Sequence, residues 1–222
     1  MSGAALLLAD ARFPGGGHAH SGGLEPAATA GAVTDLASLE VFLRGRLRTA
    51  GRVAAGLAAA ACAHAGDGRW SELDAEADAR TPSPAQREAS RRQGRALLRA
   101  ARIAWPDASW PDASWPARTA PHHAVVLGAA AAAAGCTPHE AARIAAYQAV
   151  TGPASAAVRL LALDPMRATA VLARLAADVD DTAARAAACA GGPLSELPCP
   201  SAPALDLLAE AHIRAEVRLF ES

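Results

Sequence analysis

Alanine dominates the apolar residues of this 222-residue chain, and this restricts the folds that the chain can adopt. Hydrophobic residues make up 52% of the sequence, whereas aromatic residues make up only 4%. Alanine has the highest intrinsic helix propensity, and its small side chain lets neighbouring helices approach closely. No segment shows the apolar–polar alternation or the density of β-branched residues that is typical of a strand. We therefore predict an all-α protein, a single-domain bundle of eight or more helices with no sheet.

Local capping and breaking signals predict where several of these helices begin and end. Thr34 is the expected N-cap of a helix with leucines at helical spacing. Ser83 is followed by a proline at the first helical position, and Thr137 begins a Thr-Pro-His-Glu capping box. Pro153, preceded by glycine, is expected to stop or kink a helix. The last helix is expected to span residues 205–220.

We expect one domain across residues 1–222, with three segments set apart by their composition. Residues 12–26, RFPGGGHAHSGGLEP, form a glycine-rich loop. Residues 105–120 contain the tandem repeat WPDASWPDASWP. Its prolines at five-residue spacing exclude a helix and predict an exposed loop. Residues 204–222 are expected to form a C-terminal helix and tail.

Charge and cysteine content exclude several classes of protein. The formal net charge is −1 at pH 7, and all 21 basic residues are arginine. A balanced charge without a basic tail argues against a nucleic-acid partner, and nothing indicates attraction to a membrane. The four cysteines form no CxxC pair, and the N-terminus lacks the basic start and apolar run of a signal peptide. We therefore expect a cytoplasmic protein with reduced thiols.

The glycine-rich loop is compatible with three kinds of ligand: a phosphate, a metal or a partner protein. A Walker-type phosphate loop needs a lysine followed by serine or threonine, and this loop has neither. His18 and His20 supply two imidazoles that suit nickel, copper or zinc, although a third ligand at useful spacing is missing. A transient nickel contact at this histidine pair stays open, with no tightly bound cofactor expected. The glycines also permit close backbone approach, and Ser21 and Glu25 add polar contacts for a docking protein.

The sequence offers no catalytic constellation. It contains no GxSxG elbow, and no cysteine stands beside an obvious histidine base in a loop. Asp74 and Asp78 are expected on a solvated helix face, and His122 and His123 on the surface or in the core. We therefore predict that the protein is not an enzyme.

Four segments, in order along the chain, resemble the UreF family of urease accessory proteins. They are LLLADARFPGGGHAHSGGLEPA near the N-terminus, SRRQGRALLRAA at 90–101, SAAVRLLALDP at 155–165 and AEAHIRAEVRLFES at 209–222. The resemblance implies an all-α, non-enzymatic chaperone that forms a homodimer and serves GTP-dependent nickel insertion into apo-urease. It further implies two partners: the GTPase UreG, which carries nickel, and UreD (also called UreH), which contacts apo-urease. Modulation of GTP hydrolysis is part of the same expectation. The alternative is a stand-alone helical nickel-binding protein that uses His18 and His20.

The resemblance also assigns partner-binding residues: Ser21, Glu25, Arg159, His212, Arg218 and Phe220. Glu25 and Arg159 are expected to control coupling to the GTPase. Arg218 and Phe220 are expected to hold the C-terminal tail for partner binding.

Overall fold

The fold was determined as a computed structural model that describes residues 1–110, 120–215 and 219–220, with His18 described by its backbone alone. Within these ranges the chain is helical and contains no β-strand, which confirms the predicted all-α class with eight or more helices. The helices are α1 (Gly3–Ala9), α2 (Leu24–Thr29), α3 (Leu36–Arg46), α4 (Arg52–Ala63), α5 (Trp70–Ala79), α6 (Pro84–Ala104), α7 (His123–Ala133), α8 (Pro138–Leu161), α9 (Pro165–Ala188) and α10 (Pro203–His212). None of the described helices combines the length and apolar character that crossing a bilayer requires.

The helix starts follow the capping signals of the sequence, with one change. Ser83 caps α6 and Thr137 caps α8 as predicted, the latter through a reciprocal capping box. The N-cap of α3, however, is Asp35 and not Thr34. The Asp35 carboxylate accepts the amide hydrogen of Ser38 at 2.8 Å, and its negative charge suits the positive end of the helix dipole.

Helix α8 lies at the centre of the core, where it packs against α4 and α9, and α4 in turn packs against α7. Small side chains permit these close approaches. A methyl group at Gly128 of α7 would overlap the carbonyl oxygen of Ala58 in α4. The backbones of these two helices are therefore in direct contact, as the alanine-rich composition leads one to expect.

A short π-helical segment, Leu47–Gly51, joins α3 to α4. Helix α8 does not stop at Pro153 but continues to Leu161. Proline cannot donate to the carbonyl four residues earlier, which here belongs to Ala149. Arg46 Nε donates to that oxygen at 3.1 Å, so a side chain from α3 satisfies the group that the proline leaves unpaired.

The last helix ends at His212, eight residues before the predicted end at Phe220. Residues 219 and 220 are not helical, because their amide groups bind Glu25 instead of carbonyls of a further helical turn. The C-terminal tail thus returns to the N-terminal part of the chain.

The Trp/Pro repeat begins immediately after α6, and its first part contacts the body of the protein. Phe13 stacks on Trp105 with ring centroids 6.0 Å apart, and Trp110 Nε1 donates to the carbonyl oxygen of Trp105 at 3.0 Å. Residues 111–119, which hold the rest of the predicted exposed loop, lie outside the described residues.

Candidate docking site

Glu25, at the start of α2, binds the C-terminal tail. Its carboxylate accepts the amide hydrogens of Leu219 and Phe220, each at 2.8 Å, and the residue is only 7% exposed. His212 Nε2 lies 3.2 Å from the Phe220 carbonyl oxygen and 3.4 Å from Glu25 Oε2. Both neighbours are acceptors, so the tautomer with its hydrogen on Nε2 fits this arrangement. Hydrogen bonds to an ionised carboxylate are stronger than neutral ones, so Glu25 is the main attachment of the tail.

The glycine-rich loop positions Glu25. Ser21 is fully buried, and its Oγ accepts the amide hydrogen of Glu25 at 3.2 Å, which orders the first turn of α2. Gly22 adopts a left-handed conformation with φ of +61°, and a methyl group there would lie 3.0 Å from the side chain of Pro153. Only glycine fits this conformation and this approach without strain, so the loop backbone rests directly on α8.

Arg159 covers the anchored tail from α8. Its guanidinium carbon lies 4.3 Å from the centroid of the Phe220 ring, a cation–π contact. Phe220 is 9% exposed, whereas Arg159 is exposed. The arginine thus lies at the surface while its aromatic partner is buried beneath it.

The structure brings together five of the six predicted partner-binding residues, and we call them the tail site: Ser21, Glu25, Arg159, His212 and Phe220. The sixth, Arg218, lies outside the described residues. Three of the four family-like segments therefore meet at one place, although they come from the two ends and the middle of the chain. The family resemblance assigns Glu25 to a partner contact, whereas its carboxylate also binds the tail of the same chain.

The fourth family-like segment, at 90–101, belongs to a polar cluster between α5, α6 and the start of α7. Arg91 donates to Asp74 at 2.9 Å and to Asp78 at 2.7 Å. His122 joins Asp78 through Nε2 at 2.9 Å and Ser90 through Nδ1 at 3.0 Å. Asp74 is 3% exposed, so the predicted solvated acidic face is wrong for this residue. The missed signal was the adjacent pair in α6 of Ser90, which contacts His122, and Arg91, which contacts both carboxylates.

This polar cluster also has the geometry of a small metal site, since ligand atoms of Asp74, Asp78 and His122 lie within 4.8 Å of one another. Its charge balance favours a different role. Arg91 already supplies the positive charge for both carboxylates, and a cation would have to displace it. Burial lowers the pKa of His122, while hydrogen bonds from His122 and Arg91 lower the pKa of Asp78 against the opposing effect of burial. The cluster therefore connects α5, α6 and the start of α7 through hydrogen bonds and ion pairs.

A cavity of about 390 Å³ lies between the glycine-rich loop and the central helices, and His20 and His123 are part of its wall. Burial lowers the pKa of His123 to about 4, with a smaller contribution from the charge of His20. His123 is accordingly neutral at pH 7, the form in which imidazole binds metals. The side chain of His18 lies outside the described residues. The structure therefore associates His20 with His123, and the nickel contact at His18 and His20 stays a prediction.

Fold and site together define an all-helical protein whose polar contacts hold a tail against a loop, an arrangement suited to docking. Comparison with known proteins gives the family. The UreF family model matches residues 33–176, and the chain belongs to the UreF family.

Curated relatives match nearly the whole chain, and each is called urease accessory protein UreF. The protein from Mycolicibacterium vanbaalenii is 46% identical over 220 residues, which cover 98% of this chain and 97% of the relative. Those from Mycobacterium sp. strain JLS and Mycobacterium tuberculosis H37Rv are 48% and 46% identical, with the same coverage of both chains. The protein is thus a urease accessory protein by family.

Proposed function

We propose that this protein is a non-enzymatic cytoplasmic scaffold that bridges the GTPase UreG and UreD/UreH for GTP-dependent nickel insertion into apo-urease. The observation that carries the proposal is the tail site, where Glu25 anchors Leu219 and Phe220 beneath Arg159. The scaffold acts as a homodimer, and nickel is its cargo rather than a resident cofactor.

The chemistry of the tail site supports docking on another protein. Leu219 is 72% exposed beside the buried ring of Phe220, and Arg159 adds an exposed guanidinium. Arginine is enriched at protein interfaces, and an exposed apolar side chain beside it on a fixed backbone adds area that a partner can bury. Because the loop and the tail come from opposite ends of the chain, this surface exists only in the folded protein.

We infer that the effect on GTP hydrolysis comes from positioning the switch loops of the GTPase. An arginine finger would have to reach the transferred phosphate as a flexible, unengaged cation. The guanidinium of Arg159 is instead stacked on Phe220. A rigid surface of this kind is better suited to fixing mobile loops in one conformation.

The proposal is tested by deleting the gene in a urease-producing host and measuring urease activity and bound nickel. We expect apo-urease in the deletion strain and recovery with the wild-type chain. The tagged chain should also co-purify UreG and UreD homologues in a GTP-dependent manner. Normal nickel-loaded urease in the deletion strain would exclude the proposed role.

A further inference from the structure

Arg46 is a partly exposed cation that lies beside the glycine-rich loop. It ends α3, and its Nε donates to the Ala149 carbonyl that Pro153 leaves unpaired. A methyl group at Gly22 would lie 3.1 Å from the guanidinium carbon and equally close to one terminal nitrogen. The guanidinium is therefore held between the loop backbone and α8.

The positive charge of Arg46 has no counterion among the residues that the structure describes. Neither terminal nitrogen of Arg46 has a protein acceptor in this part of the chain, and no carboxylate there forms an ion pair with it. Burial lowers the pKa of Arg46 to about 10, which reflects the cost of removing the charge from water. The two terminal nitrogens still reach solvent, and an anion that entered the cavity would gain charge-assisted hydrogen bonds to them.

Arg46 lines the cavity of about 390 Å³, which gives an anion a route to it. The carboxylates on the cavity wall are committed elsewhere. Asp10 accepts four hydrogen bonds of 2.7–3.2 Å from Arg12, and Asp206 accepts from the backbone of Ser83. The cavity thus has room for a small molecule, and its own acids do not neutralise Arg46.

The cavity wall includes the apolar side chains of Val53, Leu57 and Leu205, together with polar ones such as Gln148 and Thr151. With Arg46 Nε engaged, the two terminal nitrogens present parallel N–H groups that match the two oxygens of a carboxylate. The cavity is therefore complementary to a carboxylate attached to a short apolar group.

We propose that Arg46 and this cavity form a binding site for a small aliphatic carboxylate, with the carboxylate on the terminal nitrogens of Arg46 and the alkyl group against Val53 and Leu57. Arg159 of the tail site lines the same cavity, but butyrate binding does not depend on the role in nickel insertion. Failure of one proposal leaves the other intact.

The probe is sodium butyrate, titrated into the full-length protein by isothermal titration calorimetry and by thermal unfolding, with sodium chloride holding the ionic strength constant. Butyrate at about five times its Kd should raise the Tm by about 2–4 °C, the shift expected for a chain of this size when the ligand binds only the folded state. Acetate should bind more weakly, by about threefold to fourfold for each methylene that it lacks.

Three variants test the assignment. Arg46→Gln keeps a donor for the Ala149 carbonyl but removes the charge, and we expect at least a tenfold loss of butyrate affinity. Arg46→Lys keeps the charge without the two parallel N–H groups and should lose at least threefold. Arg48→Gln, an exposed arginine in the neighbouring π-helical turn, should bind butyrate like the wild type.

Because each variant is compared with and without butyrate, a change in its basal stability does not affect the result. The proposal is overturned if butyrate leaves the Tm of the wild type unchanged and calorimetry detects no binding. It is equally overturned if Arg46→Gln binds butyrate as well as the wild type, or if Arg48→Gln loses binding to the same extent.

Discussion

Individual residues show how far their chemical type predicts their role. Glu25 and Phe220 were assigned to partner contacts because they match family motifs, and the structure places them together at 2.8 Å. Their mutual contact could not be predicted, since it joins positions 195 residues apart and no local spacing encodes it. The predicted solvated position of Asp74 is wrong for the same reason, because its partner Arg91 lies on another helix.

Replacing Glu25 by glutamine should lower the free energy of unfolding by about 1–2 kcal/mol, because an amide oxygen replaces an ionised acceptor of two buried N–H groups. Denaturant titration measures the loss, and amide exchange at Leu219 and Phe220 should accelerate. Glu196→Gln, at an exposed position, should change neither. In a chain truncated after residue 215 the effect of Glu25→Gln should vanish or reverse, and an undiminished effect there would show that Glu25 does not act through the tail.

Because of His123, the free energy of unfolding should decrease as the pH is lowered. Its pKa is about 4 in the folded protein against 6.5 for a free histidine, so the unfolded chain binds a proton first as the pH falls. The contribution is complete above about pH 6.5 and decreases by about 2 kcal/mol between pH 7.5 and pH 5. Urea titrations at several pH values should show a shallower slope for His123→Asn than for the wild type. His139→Gln serves as the control, and an unchanged slope in His123→Asn would contradict the assignment.

At the scale of helices, the sequence predicts features that depend on neighbouring residues. It misses features that depend on contacts between distant elements. The starts of α6 and α8 follow from capping and proline chemistry within a few residues. The passage of α8 through Pro153 and the early end of α10 depend on Arg46 and Glu25, which belong to other elements. The spacing of apolar residues along the chain does not predict which side chain of another element will form such a contact.

Gly94 tests the packing of α6 on the start of α7, which positions the polar cluster. A methyl group there would overlap the Pro121 carbonyl oxygen, so Gly94→Ala should destabilise the protein by about 1–3 kcal/mol or more. Gly45→Ala in α3 meets nothing within 4 Å and should stabilise it by about 0.5–1 kcal/mol. Thermal unfolding of both variants measures the two effects, and equal shifts in Tm would contradict the close contact of α6 with residue 121.

At the scale of the whole molecule, the fold explains why motifs far apart in the chain characterise one family. Helix α8 supports the glycine-rich loop at Pro153 and reaches the tail through Arg159. Loop, central helix and tail thus form one surface, and a change in any of them alters the other two. The class of fold was predictable from composition, whereas this convergence required the structure.

The most direct test of the docking surface is the affinity of UreG for the complex of this chain with UreD, measured with GTP and nickel present. Arg159→Ala removes the exposed guanidinium above Phe220, and Arg167→Ala removes an exposed arginine from α9 as a matched control. We expect at least a tenfold loss of affinity for Arg159→Ala and an unchanged affinity for Arg167→Ala. Wild-type affinity in Arg159→Ala would contradict the assignment of the tail site as the surface that meets the GTPase.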